Sequence, residues 1–146
     1  DKSQWDQSLI RKGQQYLNLA SKGDKVSKYH LEATIAYWHT QEEEGKWEQI
    51  LMMYNKLLTI EYSPVIAMNR SYAVARVHSP QKAIEEALKL ALHDNPYYLC
   101  LLAELYKMNE DTNQEITHLN RALMLVKNQN EKSLIQRKLE KAFQAN

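Results

Sequence analysis

The feature that most constrains this chain is a period of 32 to 33 residues in its apolar positions. Four positions recur at this spacing, in three successive sets: Ile50, Tyr54, Leu57 and Leu58; Ala83, Ala87, Leu90 and Ala91; Glu115, Leu119, Ala122 and Leu123. Pro64 and Pro96 are also 32 residues apart, and each ends one unit and begins the next. Such a period predicts a supersecondary unit that stacks on copies of itself, because one unit cannot bury both of its apolar faces.

Composition and capping signals indicate that each unit is helical. The chain has only three glycines and three prolines, while Leu, Ala, Glu, Lys and Gln, which favour helices, are abundant. Ser63, Ser79 and Asn95 each precede a proline, the preferred order at a helix start. These signals and the apolar stripes predict eight helices of 13 to 18 residues: 3–20, 27–40 with Ser27 as its cap, 47–61, three that start at positions 64, 80 and 96, one after the turn at 109–112, and 130–144.

Two helices in about 34 residues, with small side chains where helices cross and a proline at the join, are typical of tetratricopeptide repeats. The predicted fold is therefore all-α: a right-handed stack of antiparallel helix pairs in one domain, 1–146. The pairs are 27–62, 64–92 and 96–127, preceded by the helix at 3–20 and closed by a polar capping helix at 130–144. Six alanines are expected to let backbones approach closely: Ala36, Ala73, Ala83, Ala87, Ala103 and Ala122.

Net charge and cysteine content restrict the partners and the cellular compartment that the sequence predicts. With 19 basic and 18 acidic side chains the formal net charge is +1, so direct binding to DNA is not expected from this segment. The single cysteine, Cys100, excludes an intramolecular disulfide and fits a reducing compartment, in which it is expected to be a small buried hydrophobe. No apolar run approaches the ~20 residues of a membrane span. A cytoplasmic protein without membrane contact is predicted.

The sequence predicts no catalytic, cofactor-binding or metal-binding residues. It contains no glycine-rich phosphate loop, no Gly-x-Ser-x-Gly elbow and no His-Glu-x-x-His pair. His30 and His39 are nine residues apart, which puts them about 180° from each other around one helix, too far to share a metal. The pattern favours a chain that binds or positions a partner.

Three motifs carry a resemblance to a known family, and they occur in the family's order along almost the whole chain. They are SQWDQSLI at 3–10, YHLEATIAYWH at 29–39 and SPVIAMNR at 63–70. The chain resembles the C-terminal, tetratricopeptide-like extension of a group of bacterial RNA polymerase sigma factors of the extracytoplasmic-function type. Met68 stands where that family usually has Leu, and Ser71 where it has Ala.

The resemblance implies a regulatory, non-catalytic tail that modulates transcription initiation. Its partners would be the sigma regions of the same polypeptide, RNA polymerase or a protein regulator. The chain opens without Met and almost at once inside a helix pattern, which suggests a piece of a longer protein whose sigma regions lie upstream. The alternative is a free-standing tetratricopeptide scaffold that binds a peptide or protein unrelated to transcription.

Six side chains are predicted to line a partner-binding groove on the concave face of the stack. His39, Asn69 and Arg70 are polar residues of the family-like motifs, and each falls in the first helix of a pair, the layer that lines this face. Three tyrosines are aromatic neighbours suited to peptide contact: Tyr29, Tyr72 and Tyr98.

A structural role for the polar members of this set is the competing interpretation. Asn69 and Arg70 would then satisfy helix ends, or pair with Glu32 or Glu104 in a buried polar network. The sequence alone leaves both interpretations open.

Overall fold

A computed structural model describes residues 24–145 of the chain. Within that range the regular structure is all-α, as predicted, and consists of seven helices. They are α1 (Asp24–His39), α2 (Lys46–Ile60), α3 (Pro64–Val77), α4 (Pro80–Leu88), α5 (Pro96–Met108), α6 (Thr112–Leu125) and α7 (Gln129–Gln144). The helix predicted at 3–20 lies outside the described residues.

The chain divides into two compact units, Asp1–Arg70 and Ser71–Asn146, with the boundary inside α3. In unit 1, α1 packs on α2; in unit 2, α4 packs on α5, α5 on α6, and α6 on α7. Each unit therefore contains helices that pack on their neighbours in chain order. The predicted pairs 27–62, 64–92 and 96–127 stay predictions. The assignment of residues 1–146 to one domain stays a prediction.

The proline-linked caps form as the sequence predicts. The Ser79 hydroxyl accepts a hydrogen bond from the Lys82 amide at 3.1 Å, and Pro80 occupies the first helical turn. The Asn95 side chain accepts hydrogen bonds from the amides of Tyr97 and Tyr98, at 2.8 and 3.3 Å. Each cap satisfies amides that have no partner within the helix, while the proline contributes no amide that would need one.

The first described helix differs from the prediction at its start and at Ala36. Ser27 is buried inside α1, which already begins at Asp24, so Ser27 is not its cap. The buried stripe runs through Leu31, Ile35 and Trp38, whose large apolar side chains gain most by leaving water. Ala36 is exposed, so it does not mark a close helix crossing.

The other five predicted small residues are buried. Ala73, Ala83, Ala87, Ala103 and Ala122 are each at most 1% exposed. The core of unit 2 combines them with larger apolar side chains from its successive helices: Ile84, Leu99, Leu102, Leu105, Leu119, Ile135 and Leu139. Alternation of small and large residues lets paired helices interdigitate at close distance.

Helix α4 ends before position 92, where the second helix of the predicted pair 64–92 was expected to end. It ends at Leu88, and the backbone then closes with bonds from the Lys89 amide to the Glu86 carbonyl and from the Leu90 amide to the Ala87 carbonyl. Ala91 follows with φ 50°, a left-handed conformation that no helix can continue. The later recurring positions of the second repeat therefore lie in a turn.

A complete Schellman motif ends α5. The Asp111 amide donates to the Tyr106 carbonyl at 2.9 Å, and the Glu110 amide donates to the Lys107 carbonyl at 3.0 Å. This geometry requires a left-handed residue, a position usually held by glycine, and here it is Glu110 with φ 59°. The motif turns the chain sharply enough for α6 to return along α5.

Two exposed polar contacts each join side chains one repeat apart. Lys28 Nζ lies 2.8 Å from Glu61 Oε2 in unit 1, and the Tyr97 hydroxyl donates to Glu131 Oε1 at 2.8 Å in unit 2. The sequence separations are 33 and 34 residues. The first contact joins the start of α1 to the end of α2, and the second joins the starts of α5 and α7.

Candidate binding groove

Unit 2 contains a cavity of about 350 Å³ between α5, the first turns of α6, and α7. We call it the α5–α7 groove. Its lining residues are Cys100, Ala103, Glu104 and Lys107 of α5; Glu110, Thr112, Glu115 and Leu119 from the turn and α6; and Lys138, Lys141, Ala142 and Ala145 from α7 and its end. Within α5 and within α7 the spacing is i, i+3, i+4, i+7, which places each set on one helix face.

The floor of the groove is apolar and rigidly packed. Ala103, Leu119 and Ala142 are each at most 3% exposed, so only a small part of each reaches the cavity. Alanines on the two facing helices leave space that larger side chains would fill. A ligand group with an aliphatic surface can rest on this floor without displacing core side chains.

Charged side chains of both signs line the groove in equal number. Three carboxyl groups, from Glu104, Glu110 and Glu115, occur together with three ammonium groups, from Lys107, Lys138 and Lys141. A surface of this kind selects a ligand by the arrangement of its charges more than by its net charge. It differs from the single-sign patches that bind nucleic acid.

Glu115 is the most buried charged residue of the groove. The residue is only 8% exposed, and its backbone amide donates to the Asp111 carbonyl at 3.1 Å. Burial raises the pKa of its carboxyl, with Lys107 opposing the shift and Glu104 adding to it. No hydrogen bond to this carboxyl comes from any side chain in residues 24–145.

Cys100 is half-buried at the edge of the groove, which differs from its expected place as a fully buried hydrophobe. Burial raises the pKa of its thiol, Lys138 opposes that shift, and Glu131 adds to it. A thiol with a raised pKa is a poor nucleophile at neutral pH, because the thiolate is the reactive form. Cys100 is therefore part of the lining and a useful chemical reporter of it.

Tyr98 is not a groove residue, contrary to the prediction. It is 0% exposed, and its hydroxyl donates to the Ala87 carbonyl at 2.7 Å. The cap of α5 at Asn95 fixes the first turn that carries Tyr98, and the Tyr98 ring meets His93 edge-on at 5.7 Å. Its side chain stabilises the α4–α5 pair and is inaccessible to a partner.

His39 lies in unit 1 at the turn between α1 and α2. Its ring meets the Trp47 ring edge-on at 5.6 Å, and Lys46 Nζ lies 5.1 Å from the centre of the same indole. Lys46 also donates to the Gln41 carbonyl at 2.8 Å. Burial, and then the neighbouring Lys46 ammonium, lowers the pKa of His39. These contacts give His39 a structural role at the corner of the first helix pair.

Arg70 contacts α2. Its Nε donates to Asn55 Oδ1 at 2.6 Å, which ties α3 to α2 inside unit 1. Asn69 and Tyr29 are exposed, and Tyr72 is half-buried in unit 2. Partner binding by Tyr29, His39, Asn69, Arg70 and Tyr72 stays a prediction.

The residues that do form a cavity were not among the predicted groove set. One signal for them is present in the sequence: the repeat position held by Ile50 and Ala83 is held by Glu115 in the third repeat. Both earlier residues are 0% exposed. A carboxyl at a core position of a repeat is unusual enough to mark a site.

Metal-ligating clusters and membrane-spanning helices are two further features that would define a type of site. In the described part of the chain, no group of three or more His, Cys, Asp or Glu side chains is arranged to hold a metal ion. Among the helices described, none has the length and apolar character needed to cross a bilayer.

Comparison with known proteins supports the fold. No protein-family model matches the chain. The crystal structure of a thermophilic TPR protein from Thermus thermophilus superimposes with a TM-score of 0.68 over 97% of this chain and 77% of that one, at 18% identity. An uncharacterized protein of Rhizobium meliloti (strain 1021) is 28% identical over 145 residues, and the match covers 96% of this chain but only 34% of that protein. The chain thus has a tetratricopeptide-like helical fold and spans about a third of the length of this curated relative.

Proposed function

We propose that this chain is a non-catalytic protein-interaction module that binds an extended segment of a partner in the α5–α7 groove. The observation that carries the proposal is the groove itself: a cavity of about 350 Å³ with an apolar floor and charged walls of both signs. Pockets of about 300–1,000 Å³ with a few placed polar groups are typical of ligand sites. The tetratricopeptide-like fold supports the same class of function.

The helical framework explains how such a groove would bind without reorganising. Ala103, Leu119 and Ala142 are core residues, so the floor is held by the packing of three helices. The lysines sit at exposed positions of the walls, where their side chains can follow a partner. A rigid floor lowers the entropic cost of binding, and mobile rim charges add selectivity.

A peptide selection tests this proposal. Peptides selected from a random library on the purified chain should perturb the backbone amide signals of the groove residues in an NMR titration. The double variant Lys138→Glu, Lys141→Glu should weaken binding of acidic or mixed-charge ligands at least about tenfold, because two wall charges change sign.

The matched control is the double variant Lys89→Glu, Lys127→Glu. Both lysines are exposed in unit 2 and do not line the groove, so the net-charge change is the same. Selected peptides that bind both double variants equally well, or that perturb signals elsewhere in the chain, would overturn the proposal.

A second candidate is the regulatory tail of a bacterial sigma factor of the extracytoplasmic-function type. The three ordered motifs support it, and a match to only 34% of a longer relative is compatible with a segment that works inside a larger protein. The comparisons themselves name no sigma factor, so the general scaffold has the better support. Deletion of this segment from the full protein, followed by promoter-specific transcription, tests the candidate: unchanged transcription would exclude it.

A further inference from the structure

The carboxyl of Glu115 is the least expected group in unit 2. The repeat places it at a position where the two earlier repeats bury Ile50 and Ala83 completely. The first turns of α6 hold it in the lining at the base of the groove, and more than nine-tenths of the residue is removed from solvent. An acidic side chain at such a position costs stability unless a partner satisfies it.

The protein itself does not satisfy this carboxyl. Nothing in residues 24–145 donates a hydrogen bond to it, and no ion pair forms there with Lys107, although that lysine is close enough to oppose the shift in pKa. Glu104 lies near enough to act on the same carboxyl, which adds negative potential. The base of the groove therefore presents an unpartnered acceptor that attracts a cation.

The surroundings define which cation fits. Ala103, Leu119 and Ala142 offer an apolar path toward Glu115, which suits the methylene stem of a lysine or arginine side chain. Lys138 and Lys141 on the α7 wall repel a second cation and attract an anion. The groove is thus matched to one positive charge at its base with negative charges beside it.

We propose that the α5–α7 groove recognises a single lysine or arginine side chain of a protein partner, flanked by acidic residues, with its cationic group bound to the Glu115 carboxyl. This inference rests on the proposed function and adds the chemistry of the ligand. The acidic flanks contact Lys138 and Lys141, so a polybasic segment is rejected.

Three acetylated and amidated pentapeptides test the inference on the whole chain. They are Gly-Glu-Lys-Glu-Gly, the same peptide with norleucine in place of lysine, and Gly-Lys-Lys-Lys-Gly. Norleucine keeps the methylene stem and removes the charge. In NMR titrations we expect the first peptide to bind at least about tenfold more tightly than the norleucine peptide, which is the effect of one hydrogen bond to a charged group. We expect the same margin over the polybasic peptide, because Lys138 and Lys141 repel its additional cations.

Glu115→Gln isolates the role of the carboxyl. The ratio of lysine to norleucine affinity should fall to about one in this variant, while Glu140→Gln, an exposed α7 position outside the groove, should keep the ratio of the native chain. Glu115→Ala copies the residue found at position 83 of the preceding repeat and should behave like Glu115→Gln. Agreement between the two variants separates loss of the carboxyl from an effect on packing.

The outcomes distinguish this inference from the proposed function. Equal affinity for the lysine and norleucine peptides in the native chain, or binding of none of the three, overturns the inference. Tighter binding of the polybasic peptide does so too. In each case the library selection with the Lys138 and Lys141 variants still decides whether the groove binds protein segments.

Discussion

Replacing Glu110 by glycine should stabilise the chain, although it removes a charged side chain from the groove wall. Glu110 has φ 59°, and a left-handed conformation costs an L-residue about 1–2 kcal/mol that glycine avoids. About 0.5–1 kcal/mol of this gain is offset, because an unfolded chain with glycine has more conformational freedom to lose on folding. The side chain is exposed and, within the described residues, accepts no hydrogen bond. The expected net gain is the difference between these two ranges, about 0–1.5 kcal/mol.

Urea unfolding followed by circular dichroism measures this gain as a change in the free energy of unfolding. The matched control is Glu140→Gly, the same chemical change at an exposed position inside α7. That variant should lose about 1 kcal/mol, because glycine is unfavourable within a helix. The same substitution is thus expected to have opposite signs at two positions. A loss of stability at both would refute the assignment of strain to the Schellman turn.

Three further predictions concern buried groups of unit 2. Glu115→Gln should stabilise the chain at neutral pH but not at acidic pH. Burial raises the pKa of the Glu115 carboxyl, so the native state loses stability as pH rises through the raised value. An equal effect of the substitution on urea unfolding at pH 4 and pH 7 would contradict this prediction. Tyr98→Phe should cost about 1 kcal/mol by removing the buried hydrogen bond to Ala87, whereas Tyr97→Phe, which loses an exposed contact, should change unfolding little. Cys100 should react with Ellman's reagent several-fold more slowly than a free thiol at pH 8, and unfolding in urea should abolish the difference.

Local signals in the sequence predict most of the fold. Ser79 and Asn95 cap their helices because an oxygen one residue before a helical proline is placed to accept an amide hydrogen of the first turn. The period near 33 residues predicts a stack of helices that contact their neighbours in chain order, because packing in a repeat is a local property. Helix α4 ends early because the left-handed Ala91 follows it, and no glycine or asparagine marks that conformation in the sequence.

The groove was harder to predict, because it depends on packing between helices. The sequence places Tyr98 among the groove aromatics, and nothing in it distinguishes Tyr98 from its neighbour Tyr97. In the structure Tyr97 is exposed, whereas Tyr98 is buried and its hydroxyl donates to the Ala87 carbonyl. Glu115 has a visible signal, since it replaces Ile50 and Ala83 in the repeat. Its value as a site follows only from the cavity between α5 and α7, which no pattern of single residues describes.

The hydrogen bond between Tyr97 and Glu131 lies near one end of the α5–α7 groove. It ties the start of α7 to the start of α5, whereas the groove lies along the later turns of both helices. With a rise of about 1.5 Å per residue, the 16 residues of α7 extend about 24 Å, so a rotation of about 5° at the tie moves the far end about 2 Å. A change in the angle between α5 and α7 at this tie would therefore alter the width of the groove mostly at its far end, beside Lys141 and Ala145, and little near Cys100.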